Sequence, residues 1–502
     1  MHRPGRVRPP LRRGRDRGPA HPRRRSAHPL RLSGPESGLS PAGPAWLDRV
    51  RERLTARLEA HADRPLALAL SGGGDSIALL AVAADWARAH GRPLLALTLD
   101  HGLDPDSPRW TVFARDAAHA AGADWRGLTW LGPKPAAGLP AAARAARHRL
   151  IADAARAAGA RVVLFAHTAG DVAEADWMRA EGSTLGHLRD WSPSPAWPQG
   201  RGLMLLRPML DVGREELREW LKGQGLGWIE DPANDDPKYA RSRARAFLLP
   251  MGGDGSHCDP STGGAEPRRM RVDGSSGEAA PGQPPLTLSR KDDGRAAVRS
   301  SPLPMGEGTL ELGRDVDAHT LAAALVCAGG GDRPPRGDRL QRLLSRLRSG
   351  ETFTAALCGA RIEASPDQVL VTREAGEFAR RPLAPLPLPP GEETVWDGRW
   401  ALTAAGPGWT VCPAAGLMAK LSKADRVRLD GLPPAVRGGV PVLIRNDATA
   451  PVLAGDDVRT RSLVEERLAL ALDRMTHETQ LKSRAHGATL RNPLFSDADI
   501  IE

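Results

Sequence analysis

Between Trp46 and Pro250, short apolar runs alternate with longer stretches whose apolar positions recur every three or four residues. Leu66 to Leu70, Leu94 to Leu99, Trp125 to Leu131, Arg161 to Ala166 and Leu203 to Leu206 have the length of strands. Between them Ser76 to His90, Arg109 to Ala121, Leu139 to Ala158 and Asp171 to Ala180 carry helical periodicity. Strand and helix in alternation predict an α/β domain, a doubly wound parallel sheet. In such sheets ligands bind beyond the carboxyl ends of the strands, so chemistry is expected in the loops that follow the runs.

The pattern stops on either side. Residues 1–45 are rich in Arg and Pro without apolar periodicity, and are expected to be a disordered basic arm, with an RNA-binding arm as the alternative. Residues 251–308, including GGDGSHCDPSTGG and SSGEAAPGQPP, read as a disordered insertion. Beyond it, a helix at Arg339 to Leu347 and strands at Thr352 to Leu357, Arg361 to Glu363 and Val369 to Thr372 predict a small α+β segment over 309–380. A Pro-rich linker is expected at 381–393 and a mixed segment at 394–458. One amphipathic helix, Ser462 to Met475, is expected in an otherwise loose tail over 459–502.

The chain has 502 residues and a formal charge of +10, which invites a nucleic-acid partner. Eleven arginines against the single acid Asp16 fall within the first 31 residues, leaving 59 basic and 59 acidic residues in the body. Any RNA contact of the body must therefore rest on local patches. Cys258, Cys327, Cys358 and Cys412 are too far apart to predict a zinc site or a disulfide framework, and a reducing, cytoplasmic location is expected. No apolar run has the length of a membrane span, so no membrane partner is expected.

The strongest chemical signal is LALALSGGGDSIALL, a strand running directly into Ser71, Gly72, Gly73, Gly74, Asp75 and Ser76 and then a helix. Glycines let backbone approach a polyphosphate, and amides at a helix start supply anion donors along the helix dipole. Ser71 and Ser76 can donate hydroxyl hydrogen bonds to phosphate, and Asp75 can hold a magnesium ion against it. No Gly-Lys-Ser/Thr follows the glycines, and the Gly-x-Gly-x-x-Gly spacing is absent, which sets aside the kinase-type and dinucleotide-type loops.

The loop resembles the SGGxDS loop of the ATP pyrophosphatase (PP-loop, adenine nucleotide α-hydrolase-like) superfamily. Four further stretches resemble one branch of it, the tRNA(Ile)-lysidine synthase family. Asp100 to Leu103 resembles its DHGLR segment, and Ala143 to His148 its ARxxRY helix. Ala166 to Arg179 resembles its AHHxDDQAETxLMR block, and Glu230 to Arg245 its EDPSNxDxxxxRNxxR block. The resemblance covers about residues 60 to 250. Thr168, Gly170, Val172 and Ala175 depart from the third block, whereas His167, Asp171 and Glu174 are retained.

The resemblance implies a ligase that adenylylates the wobble cytidine of the CAU anticodon of tRNA(Ile), releases pyrophosphate and lets free L-lysine displace AMP. ATP and Mg2+ are the implied cofactors. The implied partners are that tRNA and lysine, with a homodimer left open. Asp171 and Glu174, three apart on one helix face, are candidates to hold the lysine ammonium or magnesium. His167 is a candidate for a phosphate, ribose or proton contact, Arg144 and Arg147 for pyrophosphate or RNA backbone, and Arg241 and Arg245 for a lid over the site. Asp231 and Asn234 in the same block are equally ordinary turn formers. Three rivals stand beside this reading. A tRNA thiolase is disfavoured because no cysteine precedes Cys258. A synthetase of the GMP or NAD type would lack the EDPxN-type arginine block. A non-catalytic descendant would have kept the loop and lost the chemistry.

Overall fold

The computed structural model describes residues 43–182, 187–230, 240–248, 308–335 and 337–481. The expected basic arm, apart from its last few residues, and almost all of the expected insertion lie outside these residues, as do Asp231, Asn234 and the side chain of Arg241.

The first lobe opens with α1 (Ala45–Arg57) and continues β1 (Leu66–Ala69), α2 (Gly74–Ala89), β2 (Leu94–Asp100), α3 (Ser107–Ala120), β3 (Asp124–Thr129), α4 (Leu139–Ala157), β4 (Val162–Leu164) and α5 (Ala169–Ala180). It then runs through β5 (Trp191–Pro193), β6 (Met204–Leu206), α6 (Arg214–Gly223) and α7 (Ala240–Leu248). The strands form one sheet in the order β3-β2-β1-β4-β6-β5, parallel except for the β5 edge. Alternate side chains of the central strands enter two cores. Leu66, Leu68, Leu94, Ala96, Val162 and Leu164 pack with α1, α2, α3 and α6, while Ala67, Leu95, Leu97, Val163, Leu203 and Leu205 pack under α4. Cover on both faces explains why these strands read as unbroken apolar runs.

The second lobe contains β7 (Leu310–Leu312), α8 (Ala318–Ala328), α9 (Gly337–Arg348), β8 (Phe353–Leu357), β9 (Ala360–Ala364), β10 (Val369–Arg373) and α10 (Gly376–Arg380). These are followed by β11 (Leu386–Leu388), β12 (Thr394–Trp396), β13 (Trp400–Ala404), β14 (Trp409–Pro413), α11 (Lys423–Asp430), α12 (Pro434–Arg437), β15 (Pro441–Arg445), β16 (Val452–Leu453), β17 (Val458–Ser462) and α13 (Val464–Ala471). Three small sheets result, β7-β10-β9-β8, β11-β14-β15-β16 and β12-β13-β17.

Two expectations are corrected here. The Pro-rich stretch 381–393 is not simply a linker, because Leu386 to Leu388 pairs with Val411 to Trp409 as an edge strand, a position where proline's missing N–H is tolerated. The tail beyond Arg459 is not loose as far as residue 481. Val464 and Leu468 of α13 enter the core of the second lobe, whereas Ala469, Leu470, Met475 and Leu481 enter that of the first. No described helix is long and apolar enough to cross a membrane.

Candidate active site

The strand order reverses between β1 and β4, whose connections leave the sheet in opposite directions, and this is where a doubly wound sheet opens a crevice. β1 delivers the glycine loop to that crevice and β4 delivers His167 to Glu174.

In the loop Gly72 has φ +87°, and a Cβ there would lie 2.6 Å from Ile229 Cδ1. Only glycine fits both demands. Ile229 N–H donates to Gly72 O at 2.9 Å, so the segment before α7 closes on the loop from the side. Gly73 is the N-cap of α2 and Gly74 its first residue, which leaves the loop at a helix start suited to phosphate. Ser76, almost fully buried, accepts from Gly72 N–H at 3.1 Å and donates to Gly73 O at 2.9 Å. Its single hydroxyl proton is therefore spent inside the loop, so Ser76 shapes the turn instead of facing phosphate. Ser71 is exposed at the loop's outer side, 3.2 Å from Ser76 Oγ.

Asp75 lies in the first turn of α2, and its Oδ2 accepts from Arg214 Nε at 3.3 Å. Burial pushes the Asp75 carboxyl above its ordinary value, Arg214 pulls it back, and neighbouring Asp171 adds to the rise. Asp171 caps α5, its Oδ2 accepting from Thr168 N–H at 2.9 Å and from Thr168 Oγ1 at 3.2 Å. Thr168, a departure from the family block, thus makes a working N-cap pair with Asp171. Glu174, one turn on, is 2% exposed. Its Oε1 accepts from Arg245 Nε at 2.9 Å and lies 4.0 Å from Arg214 Nη1, while Oε2 is buried with no hydrogen-bond partner among the described residues. An unpartnered buried carboxylate oxygen is costly, and here it marks a place for a donor.

The structure thus gathers Asp75, Asp171, Glu174, Arg214 and Arg245. Burial works against the charge of Arg214, but Asp75, Asp171 and Glu174 outweigh it and raise its proton affinity. Nothing in the apolar pattern or the motif spacing singled out Arg214, one of 70 basic residues. Its only sequence signal is its place as the first residue of a helix after the β6 strand end.

A second, more basic group sits on the other side of β4. Arg207 Nε donates to His167 Nδ1 at 3.2 Å, which leaves the proton of a neutral His167 on Nε2. His167 is therefore set to donate from Nε2 rather than to take a proton there. Arg207, held also by Arg189 O and Ser192 Oγ, is buried, and burial followed by Arg144 lowers it to about 10. His148 packs on Phe165 with ring centroids 5.3 Å apart, and burial, then Arg144 and Arg147, lower it to about 3. Arg147 Nη2 meets His101 Nε2 at 3.3 Å, and His101 is lowered to about 4 by burial and then by Arg147. Arg147 therefore joins the Asp100 to Leu103 loop, and Arg207 is a second site residue that motif spacing did not mark.

A glycine-rich phosphate loop at the switch point, with carboxylates from the helix after the neighbouring strand β4 and arginines from α6 and α7 converging on it, defines a PP-loop nucleotide-binding domain. Residues 47–251 match the family model described as PP-loop domain, and ATP binding follows. Over 442 residues, 86% of this chain and 99% of the relative, the sequence is 45% identical to a tRNA(Ile)-lysidine synthase of Caulobacter vibrioides. It is 34% identical to one of Hyphomonas neptunium over 66% of this chain and 84% of that protein. Among solved structures, a U34-tRNA thiolase of Methanococcus maripaludis with its 4Fe-4S cluster is similar at a TM-score of 0.35 and 16% identity, over 42% of this chain and 74% of that one. The chain belongs to the tRNA(Ile)-lysidine synthase family.

Proposed function

We infer that the chain is the ligase that converts the wobble cytidine of the CAU anticodon of tRNA(Ile) to lysidine, in the cytoplasm, with ATP and free L-lysine. Adenylylation joins the cytidine O2 to the α-phosphorus of ATP and expels pyrophosphate. The lysine ε-amine then attacks C2, the C2–O2 bond breaks, AMP leaves and the amine proton passes to water. The observation that carries the reading is the unpartnered Oε2 of Glu174 in the cluster with Asp171 and the loop residue Asp75. An ammonium supplies the donor that this buried carboxylate lacks.

The remaining roles follow from the same geometry. Gly72, Gly73, Gly74 and the amides opening α2 hold the triphosphate, and the exposed Ser71 hydroxyl, which donates to Ser76 Oγ, would turn outward to reach it. His167 donates from Nε2 to a phosphate or ribose oxygen. Arg147 neutralises pyrophosphate or RNA backbone. Arg245 fixes Glu174, and Arg241 keeps its expected part in a lid over the site.

Magnesium fits in a limited way. Among the described residues no group of three or more His, Cys, Asp or Glu forms a cage. One carboxylate with substrate phosphates is the usual protein share of such a site, and Asp75 beside the loop meets it. Asp171 Oδ2 is committed to the helix cap, which makes Asp171 the weaker ligand of the two proposed. When bound, magnesium would offset charge on the phosphates.

The test is pyrophosphate and AMP release from ATP with unmodified tRNA(Ile), with and without lysine. Full AMP release that depends on both tRNA and lysine supports the reading. Release indifferent to lysine rejects it.

A further inference from the structure

We propose that Phe247 and Trp177 form a stacking ledge for the adenosine that follows the wobble cytidine in the CAU anticodon. The proposal rests on the reading of the crevice as a lysidine-forming site and deepens it by naming what holds the neighbouring base. Phe247 is 50% exposed and is the one exposed Phe or Trp side chain among the described residues. A single apolar side chain in water needs no explanation, but this one is not single. Its ring lies 5.8 Å from that of the half-buried Trp177, tilted by 39°, so two aromatic rings meet at the surface.

The fold sets this pair beside the catalytic cluster. α7 packs on α5, with Ala244 fully buried. Arg245 and Phe247 leave the helix on opposite sides of Ala244, the first to reach Glu174 at 2.9 Å and the second to meet Trp177. Glu174 and Trp177 are three apart on α5, hence on one face and about 4.5 Å from each other along its axis. Charge at the ledge favours RNA as well. The α7 sequence ARSRARAFL carries three arginines and no acid, and Asp176, the acid next to Trp177, is already paired with Arg179.

An amine held at Glu174 can attack C2 only of a cytidine that lies against it, and a cytidine seated there has left the anticodon stack. Within the CAU triplet the adenosine is its one neighbour. That adenosine loses a stacking partner when the cytidine leaves, and an exposed purine face is what aromatic side chains cover when proteins bind single-stranded RNA. Phe247 offers a face and no hydrogen-bonding group, so stacking is the contact it can make.

The experiment is steady-state lysidine formation by the full-length protein on tRNA(Ile) transcripts that carry either the native adenosine or an abasic residue in its place. Phe247→Ala should raise the KM for tRNA about tenfold, as expected for the loss of one stacked base, with the KM for ATP native. The abasic transcript should cost the native protein a similar factor. The two changes together should cost no more than either alone, because both remove the same contact. Phe247→Trp should restore the KM, and the melting temperature of Phe247→Ala should stay native. With 2-aminopurine in place of the adenosine, binding to the native protein should quench the fluorescence and Phe247→Ala should relieve the quenching. An unchanged KM for tRNA overturns the proposal. So does a Phe247→Ala loss that multiplies with the abasic loss, which would put the ring against another part of the RNA. If the native protein forms no lysidine on the unaltered transcript, the function itself is misassigned and the ledge falls with it; if lysidine forms and either overturning result is found, only the ledge falls.

Discussion

Glu478→Ala should unfold the first lobe more readily than any change near the phosphate loop, although it lies 419 residues further along the chain than Glu59, whose backbone it holds. Glu478 accepts from Arg92 Nη1 and Nη2, both at 2.7 Å, from Arg64 Nε at 3.1 Å and from Glu59 N–H at 3.0 Å. The side chains of Glu478 and Arg92 are both fully buried. Burial works to raise the Glu478 carboxyl, but Arg92 and the Glu59 amide hold it below its ordinary value. Removing one partner of a buried, hydrogen-bonded pair leaves an uncompensated charge and costs about 3–5 kcal/mol. For a lobe of this size that is a fall in melting temperature on the order of 10 °C. Arg92→Met with Glu478→Met should recover most of the loss, since an apolar pair leaves no charge stranded. Thermal unfolding by calorimetry, with amide exchange across 45–89 to locate the effect, reads this out. A Glu478→Ala protein melting within a degree of the native one would show that the segment after α13 does not bind the first lobe in solution.

Gly72→Ala forces a β-carbon into Ile229 at φ +87° and should raise the KM for ATP by about tenfold or more, with the melting temperature little changed; an unchanged KM would detach the loop geometry from ATP binding. Asp75→Ala should abolish pyrophosphate release while circular dichroism stays native, because it removes a carboxylate from the site and opens no core cavity. His148, buried, and His101, half-buried, are lowered to about 3 and about 4 from 6.5 and so fold as neutral groups, and stability should be complete above about pH 6.5 and decline on acidification as the unfolded chain takes up protons first. His148→Phe should flatten that decline in denaturant titrations; an equal slope in the variant would mean that His148 does not titrate differently in the folded state.

The central strands were legible because β1, β2 and β4 are apolar on both faces and therefore stand out as runs, whereas their order in the sheet carries no sequence signal. β5 was not legible, being a three-residue antiparallel edge whose pairing is set by tertiary contact with β6. α6 was missed because only Leu217 and Leu221 are buried in it, too few positions to establish a period. Leu386 to Leu388 was hidden by its prolines, which an edge strand tolerates. At the crevice, the family resemblance had marked Asp75, His167, Asp171 and Glu174 as candidates, and all four stand at the ends of neighbouring strands β1 and β4. Arg207 and Arg214 act through contacts that cross from β6 and α6, and a lone arginine in a chain rich in arginine carries no spacing signal. The inward turn of Ser76 was equally invisible, since a loop serine reads alike whether its proton goes to phosphate or to Gly73 O.

The most direct test is the mass of the anticodon nucleoside after tRNA(Ile) has been incubated with the protein, ATP, magnesium and isotopically labelled lysine. The account predicts that the wobble cytidine gains the mass of lysine less one water, carries the label, and is formed with one AMP and one pyrophosphate per residue modified. Consumption of ATP to AMP and pyrophosphate with the cytidine unlabelled and unchanged in mass would contradict it.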